Sequence, residues 1–444
     1  MFSFQKIDYR LFFVLLLSNF IPVIYSTVRV YFLGSLPDTW GYSIAAQAAW
    51  LNLIYEVISE GLLFSLYFIL GQVISQPKAF SERLSVALRV VVATFALFSV
   101  NILLFAEPIV LFMGQGGEQL TATVSYIRLE SLALLLSSVY AVAMVVLVLQ
   151  KREQLMYLLL ALKTVLIVIL DSLFVSQLPV SLQLGVNGVA WTNIVVNGVL
   201  VLASIMWLSR SGISIRAIPA YGQLNWVKNW MKISAKSGLE SLVRNLAFML
   251  MILKLVNEVQ QAGVYWVTNQ FIWGWLLLPV LALGNLIKQD AACCNGEIGS
   301  RFKGYCQLTA LIALGWVLTM PAWEWFIRSV MGAPQAKQVA QLAFVLVVFY
   351  IVFAFNNILD SYFYGIGRTD LLLYQSLVVS GVYYSGAYIL YSLGYFVPTL
   401  DSIAVLFGMG IVLDAAVTGF IFWYLVKHRR LGSIMFEHSR GGAL

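Results

Sequence analysis

Histidine is nearly missing from this chain of 444 residues: there are two, His428 and His438, both in the last seventeen positions. That scarcity excludes imidazole proton relays and histidine-based catalysis. The three cysteines, Cys293, Cys294 and Cys306, gather near one loop, and no Cys/His spacing fits a metal site. Charge is scarce as well. Charged residues make up 11% of the chain, against about 25% in soluble domains, while 61% are hydrophobic and the mean hydropathy is +0.87. No stretch is both long and polar, which leaves no room for a separate soluble domain. The net charge of +7 is spread over short loops, so it speaks for membrane topology and against a nucleic-acid partner. No nucleophile and base stand together, and neither an enzyme activity nor a cofactor is expected.

Long apolar runs are what the chain has in abundance. Runs of about 20 or more residues give about twelve spans, at 10–34, 44–75, 84–113, 120–149, 155–177, 185–209, 230–256, 262–290, 303–330, 338–366, 371–397 and 401–427. The start of the chain lacks the short apolar core and cleavage site of a signal peptide, so the first run reads as a retained helix. Lys6 and Arg10, Lys78 and Arg83, Lys151 and Arg152, Arg210, Arg216 and Lys228, Arg301 and Lys303, Arg368, and Lys427, Arg429 and Arg430 fall on alternate loops. The positive-inside rule then places both termini in the cytoplasm of a cell with this protein in its inner membrane. The polar connector 210–229 divides the runs six and six, predicting bundles at 1–209 and 230–428 and a cytoplasmic tail at 429–444. A weak repeat supports the division: Pro108 to Gly114 resembles Trp325 to Gly332, and each is followed by a long run and a short loop, 150–154 and 365–370.

Ionisable residues within the apolar runs are candidates for function, because an arginine at the bilayer centre costs roughly 2.5–3.5 kcal/mol unless it faces protein or water. Arg29 lies in the first run. In the fifth, Lys163 and Asp171 share a helical face with Ile167 between them, and Asp171 can either pair with Arg29 or titrate. Glu56 and Glu60, one turn apart in the second run, disfavour joint ionisation unless a cation intervenes. Lys236, Glu240 and Arg244 form a stripe in the seventh, able to line a vestibule or to snorkel. Thr192, Asn193 and Asn197, Asn269 and Gln270, and Asn356 and Asn357 have the spacing of interhelical hydrogen-bond glue. Asp360 stands apart as an acid without an obvious partner on its own helix, and Asp414 resembles it. The aromatic residues of the eighth run, Tyr265, Trp266, Phe271, Trp273 and Trp275, read mostly as interface or lipid-facing groups.

Leu184-Gly-Val-Asn-Gly-Val-Ala-Trp-Thr192 resembles the signature that opens the sixth helix of the multidrug and toxic compound extrusion (MATE) transporters. Ser18-Asn19 through Tyr25 with Phe32-Leu33-Gly34 is similar to that family's first helix, and Gly365-Ile-Gly-Arg-Thr369 to the loop after its tenth. The resemblance implies an all-α polytopic membrane protein with about twelve transmembrane helices in two pseudo-symmetric six-helix bundles. It also implies alternating-access export of organic amphipathic compounds against an inward flow of H⁺ or Na⁺. Of the coupling-cation residues that it implies in the first bundle, Asp171 is present, whereas Ile167 and Arg29 stand where the family has an asparagine and an aspartate. Arg244 falls near a further acid of the family. One carboxylate facing an arginine does not hold Na⁺, so H⁺ is the expected coupling ion.

The expected protein is therefore a proton-coupled exporter, monomeric and seated in a lipid bilayer, that binds a small-molecule substrate. Coupling or gating is expected at Arg29, Asp171, Glu56, Glu60 and Asp360, and a substrate cleft at Lys163, Thr192, Asn193, Asn197, Glu240, Arg244 and Asn269. The alternatives are a flippase of lipid-linked or polyanionic saccharide from the same superfamily, favoured by Arg29, Lys163 and Arg244, and a scaffold that transports nothing.

Overall fold

The structure, a computed structural model, describes residues 7–36, 40–150, 152–213, 225–293, 299–366 and 368–427. Residues 214–224 of the expected connector, the 429–444 tail, Cys294 and both histidines lie outside the described residues, as do the side chains of Lys236 and Glu240. Helix is the sole regular element among the described residues. An apolar medium imposes this, since a helix satisfies its backbone polar groups within one segment.

The helical runs, in order, are α1 (Tyr9–Gly34), α2 (Ala48–Gly71, preceded by a short turn Gly41–Ala46), α3 (Pro77–Phe112), α4 (Leu120–Leu149), α5 (Glu153–Phe174) and α6 (Val186–Arg210). They continue with α7 (Asn225–Phe248, a π-helical stretch Met249–Leu253, then Lys254–Glu258) and α8 (Ala262–Phe271, a π-helical stretch Ile272–Leu276, then Leu278–Cys293). Last come α9 (Gly299–Thr319, extended through Met320–Ala322 to Trp323–Ser329), α10 (Ala336–Gly365), α11 (Thr369–Val378, Val379–Tyr384 and Ser385–Ser392) and α12 (Leu400–Lys427). Each coincides with one of the twelve apolar runs. Among the described residues, eight helices are long and apolar enough to cross a membrane, and the bent α8 makes a ninth. α2, α7 and α11 stand where the second, seventh and eleventh spans are expected.

The chain forms two compact units, Tyr31–Gly263 and Met1–Val30 with Val264–Leu444. In the first, α4 is central and packs on α2, α3, α5 and α6, while α7 lies along α2. In the second, α10 is central and packs on α8, α9, α11 and α12. Tyr362 of α10 is fully buried together with Tyr305, Leu286 and Ile287 of the helices packed on it.

The two central helices carry the repeat. Both are 30 residues long, and each follows a helix that stops at a left-handed glycine, Gly114 (φ 78°) before α4 and Gly332 (φ 67°) before α10. That backbone is costly for any other L-residue, which accounts for the glycine closing both halves of the sequence match. The loops leaving them also agree. Arg152 (φ −90°, ψ 58°) and Arg368 (φ −90°, ψ 54°) occupy the N-cap of the next helix, with their amides bonded to Leu147 O and Phe363 O.

α8 bends by 53° between Leu276 and Leu278. The π-helical stretch and Pro279 disrupt the bonding ladder there, and the indole of Trp316 donates to Leu276 O at 3.0 Å. Two aromatic residues of this helix depart from the expected lipid-facing role, since Tyr265 and Phe271 are buried, while Trp273 and Trp275 donate to Tyr350 OH and Thr27 Oγ1, each at 3.1 Å. Their polar edges are consumed inside the protein, so only Trp273 keeps a substantially exposed face.

Gly188, in the motif that opens α6, lies where a Cβ would stand 2.7 Å from Phe174 O at the end of α5. A carbonyl cannot swing away as a side chain can. Gly188→Ala is expected to cost about 1–3 kcal/mol, seen as a lower thermal midpoint in detergent, whereas Gly198→Ala on the same helix, with nothing within 4 Å, is expected to leave the midpoint unchanged or raise it.

Candidate functional site

Two carboxylates on different helices meet in the unit built around α10. The Asn356 amide donates to Asp360 Oδ2 at 3.0 Å and to Asp414 Oδ2 at 3.1 Å. Asn356 and Asp360 are one turn apart on α10, so the acid expected to have no partner on its own helix has one; the i, i+4 spacing turns both side chains to the same face. Thr418, one turn beyond Asp414 on α12, donates to Asp360 Oδ1 at 3.4 Å. Gln375 of α11 lies close to both acids, and Lys288 of α8 acts on Asp360 through its charge. Four helices thus converge on a pair of acids that share one amide. Gly284 permits the approach of α8, since a Cβ there would meet Asn357 Nδ2 at 2.7 Å and Ser361 Oγ at 2.8 Å.

The other unit gives Glu60 and Glu130 a partner each. Arg244 on α7 grips Glu60 on α2 with one nitrogen, 2.8 Å from Oε2 and 3.0 Å from Oε1. This is the cation that intervenes between Glu60 and Glu56, and Glu56 itself is exposed. The helices come close enough because Gly61 faces Gly238, with 3.4 Å from a Cβ built on Gly61 to the Gly238 Cα. Glu130 on α4 is buried and accepts from Asn193 on α6 through both oxygens at 2.9 Å. Asn197, one turn on, donates to Ala133 O at 3.0 Å, and the Thr192 hydroxyl is buried without a hydrogen-bond partner among the described residues. Asn197 is glue between α4 and α6, whereas Asn193 serves a carboxylate.

Asp171 is fully buried at the end of α5, above the equally enclosed Ile167, and Lys163 is half-buried two turns earlier. Arg29 belongs to the other compact unit, and Asn269 is half-buried on α8. Glu240 lies on α7 with its side chain outside the described residues. Glu130, Lys288 and Gln375 are the polar partners that sequence reasoning did not select, and Asp414 was noted only for its likeness to Asp360. An acid inside the apolar run 120–149 was the available signal for Glu130, but nothing in sequence spacing joins residues 54 positions apart such as Asp360 and Asp414. Among the described residues no group of three histidine, cysteine or acidic side chains could cage a metal.

No protein-family model matches the chain, and no curated protein matches its sequence. Solved structures do match its fold. An inward-facing multidrug resistance MATE family transporter of the MOP superfamily superposes with a TM-score of 0.76 at 15% identity, over 97% of this chain and 99% of that one. An outward-facing MATE family transporter gives 0.63 at 14% identity, over 96% of each. A MOP superfamily transporter from Pyrococcus furiosus, whose binding pocket is described as reversed in polarity and suggestive of a different function, gives 0.66 at 16% identity over 96% of this chain and 95% of that chain. The chain has the fold of the MATE transporters, whose structures are twelve-helix bundles.

The Glu60–Arg244 pair yields a measurable energy. Arg244 is more than a third exposed and Glu60 less than a fifth, which places the pair between the ~1 kcal/mol of an exposed bridge and the ~3 kcal/mol lost on breaking a buried one. Arg244→Gln is expected to lower the thermal midpoint more than Glu60→Gln with Arg244→Gln combined, and a double-mutant cycle showing no coupling would refute the interaction.

Proposed function

We propose that this protein is a secondary active transporter of the MATE type, one that exports organic amphipathic compounds by alternating access in exchange for protons. The fold supports transport, since inward- and outward-facing neighbours share it. The observation that carries the coupling is the acid pair: Asp360 and Asp414 share the Asn356 amide inside a membrane bundle. Two carboxylates tied to one donor take up and give up a proton as a unit. Proton transfer across the bilayer through such a unit converts a pH gradient into a change of side-chain bonding, because protonating Asp360 or Asp414 weakens the bond that it accepts from the Asn356 amide or the Thr418 hydroxyl.

Glu60 enters this reading as a fixed charge held by Arg244, and Glu56 as an exposed acid beside it. Arg29 and Asp171 are assigned the substrate-sensitive charges, with Lys163, Thr192, Asn193 and Asn269 among the cleft residues. The protein acts as a monomer in the inner membrane with both termini in the cytoplasm, as the distribution of basic loops supports.

A second reading, export or flipping of an anionic lipid-linked saccharide, draws on Arg29 and Lys163 and on the P. furiosus neighbour of reversed pocket polarity. Arg244, the third cation in its favour, is already engaged by Glu60, which leaves the acid pair as the stronger functional feature.

Transport in proteoliposomes under imposed pH or Na⁺ gradients separates these readings. Asp360→Asn and Asp414→Asn are each expected to reduce pH-driven transport at least about tenfold, equivalent to ~1.4 kcal/mol, with Arg29→Ala and Asp171→Asn altering substrate-dependent proton release. Transport driven by Na⁺ alone, or unchanged proton release in both aspartate variants, would overturn the proton assignment.

A further inference from the structure

The bundle around α4 holds a second polar feature that none of this uses. A cavity of about 650 Å³ opens where α3 ends and α4 and α6 begin, lined by Glu107, Thr121, Ser125, Arg128, Asn187 and Trp191. Its volume lies within the range of about 300–1,000 Å³ that small-molecule sites occupy. By helix alternation it sits at the end of the bundle opposite the first residues of α3.

The local sequence explains the placement of its charges. Pro108 has no N–H to give Leu104 O, and α3 is broken at Phe105 (φ −110°, ψ 19°). Arg128 Nε reaches across from α4 to cap the neighbouring carbonyl, Leu103 O, at 3.1 Å. That bond anchors the guanidinium by one nitrogen and leaves its two terminal nitrogens for another acceptor. Glu107 lines the same cavity, yet the two opposite charges do not close into an ion pair. On α6, Asn187 Nδ2 donates to Ser125 Oγ at 3.1 Å, while its Oδ1 is buried with no partner among the described residues. The site therefore offers an anion-binding guanidinium, a carboxylate, two hydroxyls and an orphaned acceptor.

A ligand that satisfies all of them carries both signs of charge and N–H donors on its cationic end. The surface one turn deeper is apolar and exposed on all three helices, at Leu104 and Phe105 on α3, Leu132 on α4 and Val195 on α6, and Trp191 is exposed at the rim. Acyl chains fit such a surface, and tryptophan favours the level of the headgroups. We propose that this cavity binds the headgroup of a zwitterionic phospholipid with a primary ammonium, phosphate on Arg128 and ammonium between Glu107 and Asn187, its acyl chains lying along α3, α4 and α6. A quaternary ammonium has no N–H for Glu107 and Asn187 to accept, so phosphatidylcholine is the weaker ligand.

Native mass spectrometry of the delipidated full chain, titrated with phosphatidylethanolamine, phosphatidylcholine and phosphatidylglycerol of the same acyl composition, tests the assignment. One phosphatidylethanolamine is expected to be held at about tenfold lower concentration than the other two. Glu107→Gln, at an exposed side chain whose loss breaks no bond within the described residues, is expected to erase that preference while leaving phosphatidylglycerol binding intact. Arg128→Gln is expected to weaken all three and Arg128→Lys to restore part of the binding, with thermal midpoints confirming that each variant is folded. Equal retention of the three lipids by the wild type, or an undiminished preference in Glu107→Gln, would overturn the proposal. Competition by free O-phosphoethanolamine at the same concentration as the lipid would overturn the lipid assignment in favour of a soluble zwitterion; its failure to compete supports the lipid.

Discussion

A polar atom surrounded by hydrocarbon has only the protein itself to bond with, and this one constraint orders most of the structure. It makes every regular element among the described residues a helix, and it sends the exceptional side chains to specific partners: Glu130 to Asn193, Glu60 to Arg244, Asp360 and Asp414 to Asn356. Even the tryptophan edges obey it, as the Trp316 indole caps the carbonyl exposed where α8 bends. Each such bond contributes about 0.6 kcal/mol on average between membrane helices. Their larger effect is to choose which helix faces which.

The repeat gives that choice its frame. α4 and α10 are the central helices of their units, equal in length, entered after a left-handed glycine and left through an arginine N-cap of nearly identical backbone. A shared backbone has been filled with different polar groups. Around α4, Glu130 has its own amide and Glu60 its own guanidinium, whereas around α10 two acids share one amide. Separate pairs set packing; a donor shared by two acids links the protonation of one to the bonding of the other, and that asymmetry is why coupling is assigned to α10 and its neighbours.

Lipid contact adds a further demand at the break in α3. Pro108 interrupts the helix and frees carbonyls near the membrane surface, and Arg128 answers one of them. The repair brings a cation to a site that already holds Glu107 and the orphaned Asn187 acceptor, so a structural repair and a ligand site share the same residue.

The helices of the described residues, their approximate limits and the glycine-ended repeat were legible in the amino-acid order, because apolar run length and backbone strain at Gly114 and Gly332 are local properties. So was the identity of Asp360, Glu60 and Arg244 as residues that hydrocarbon would not tolerate unpaired. What the order of residues did not contain was which acid meets which donor. Asp360 and Asp414 are brought together by the packing of α12 on α10, Glu130 and Asn193 by that of α6 on α4, and helical periodicity names a face without naming the helix opposite. The chain alone determined that these charges needed partners; only tertiary packing decided the partners, because hydrogen bonds reach about 3 Å and the residues that make them lie dozens of positions apart.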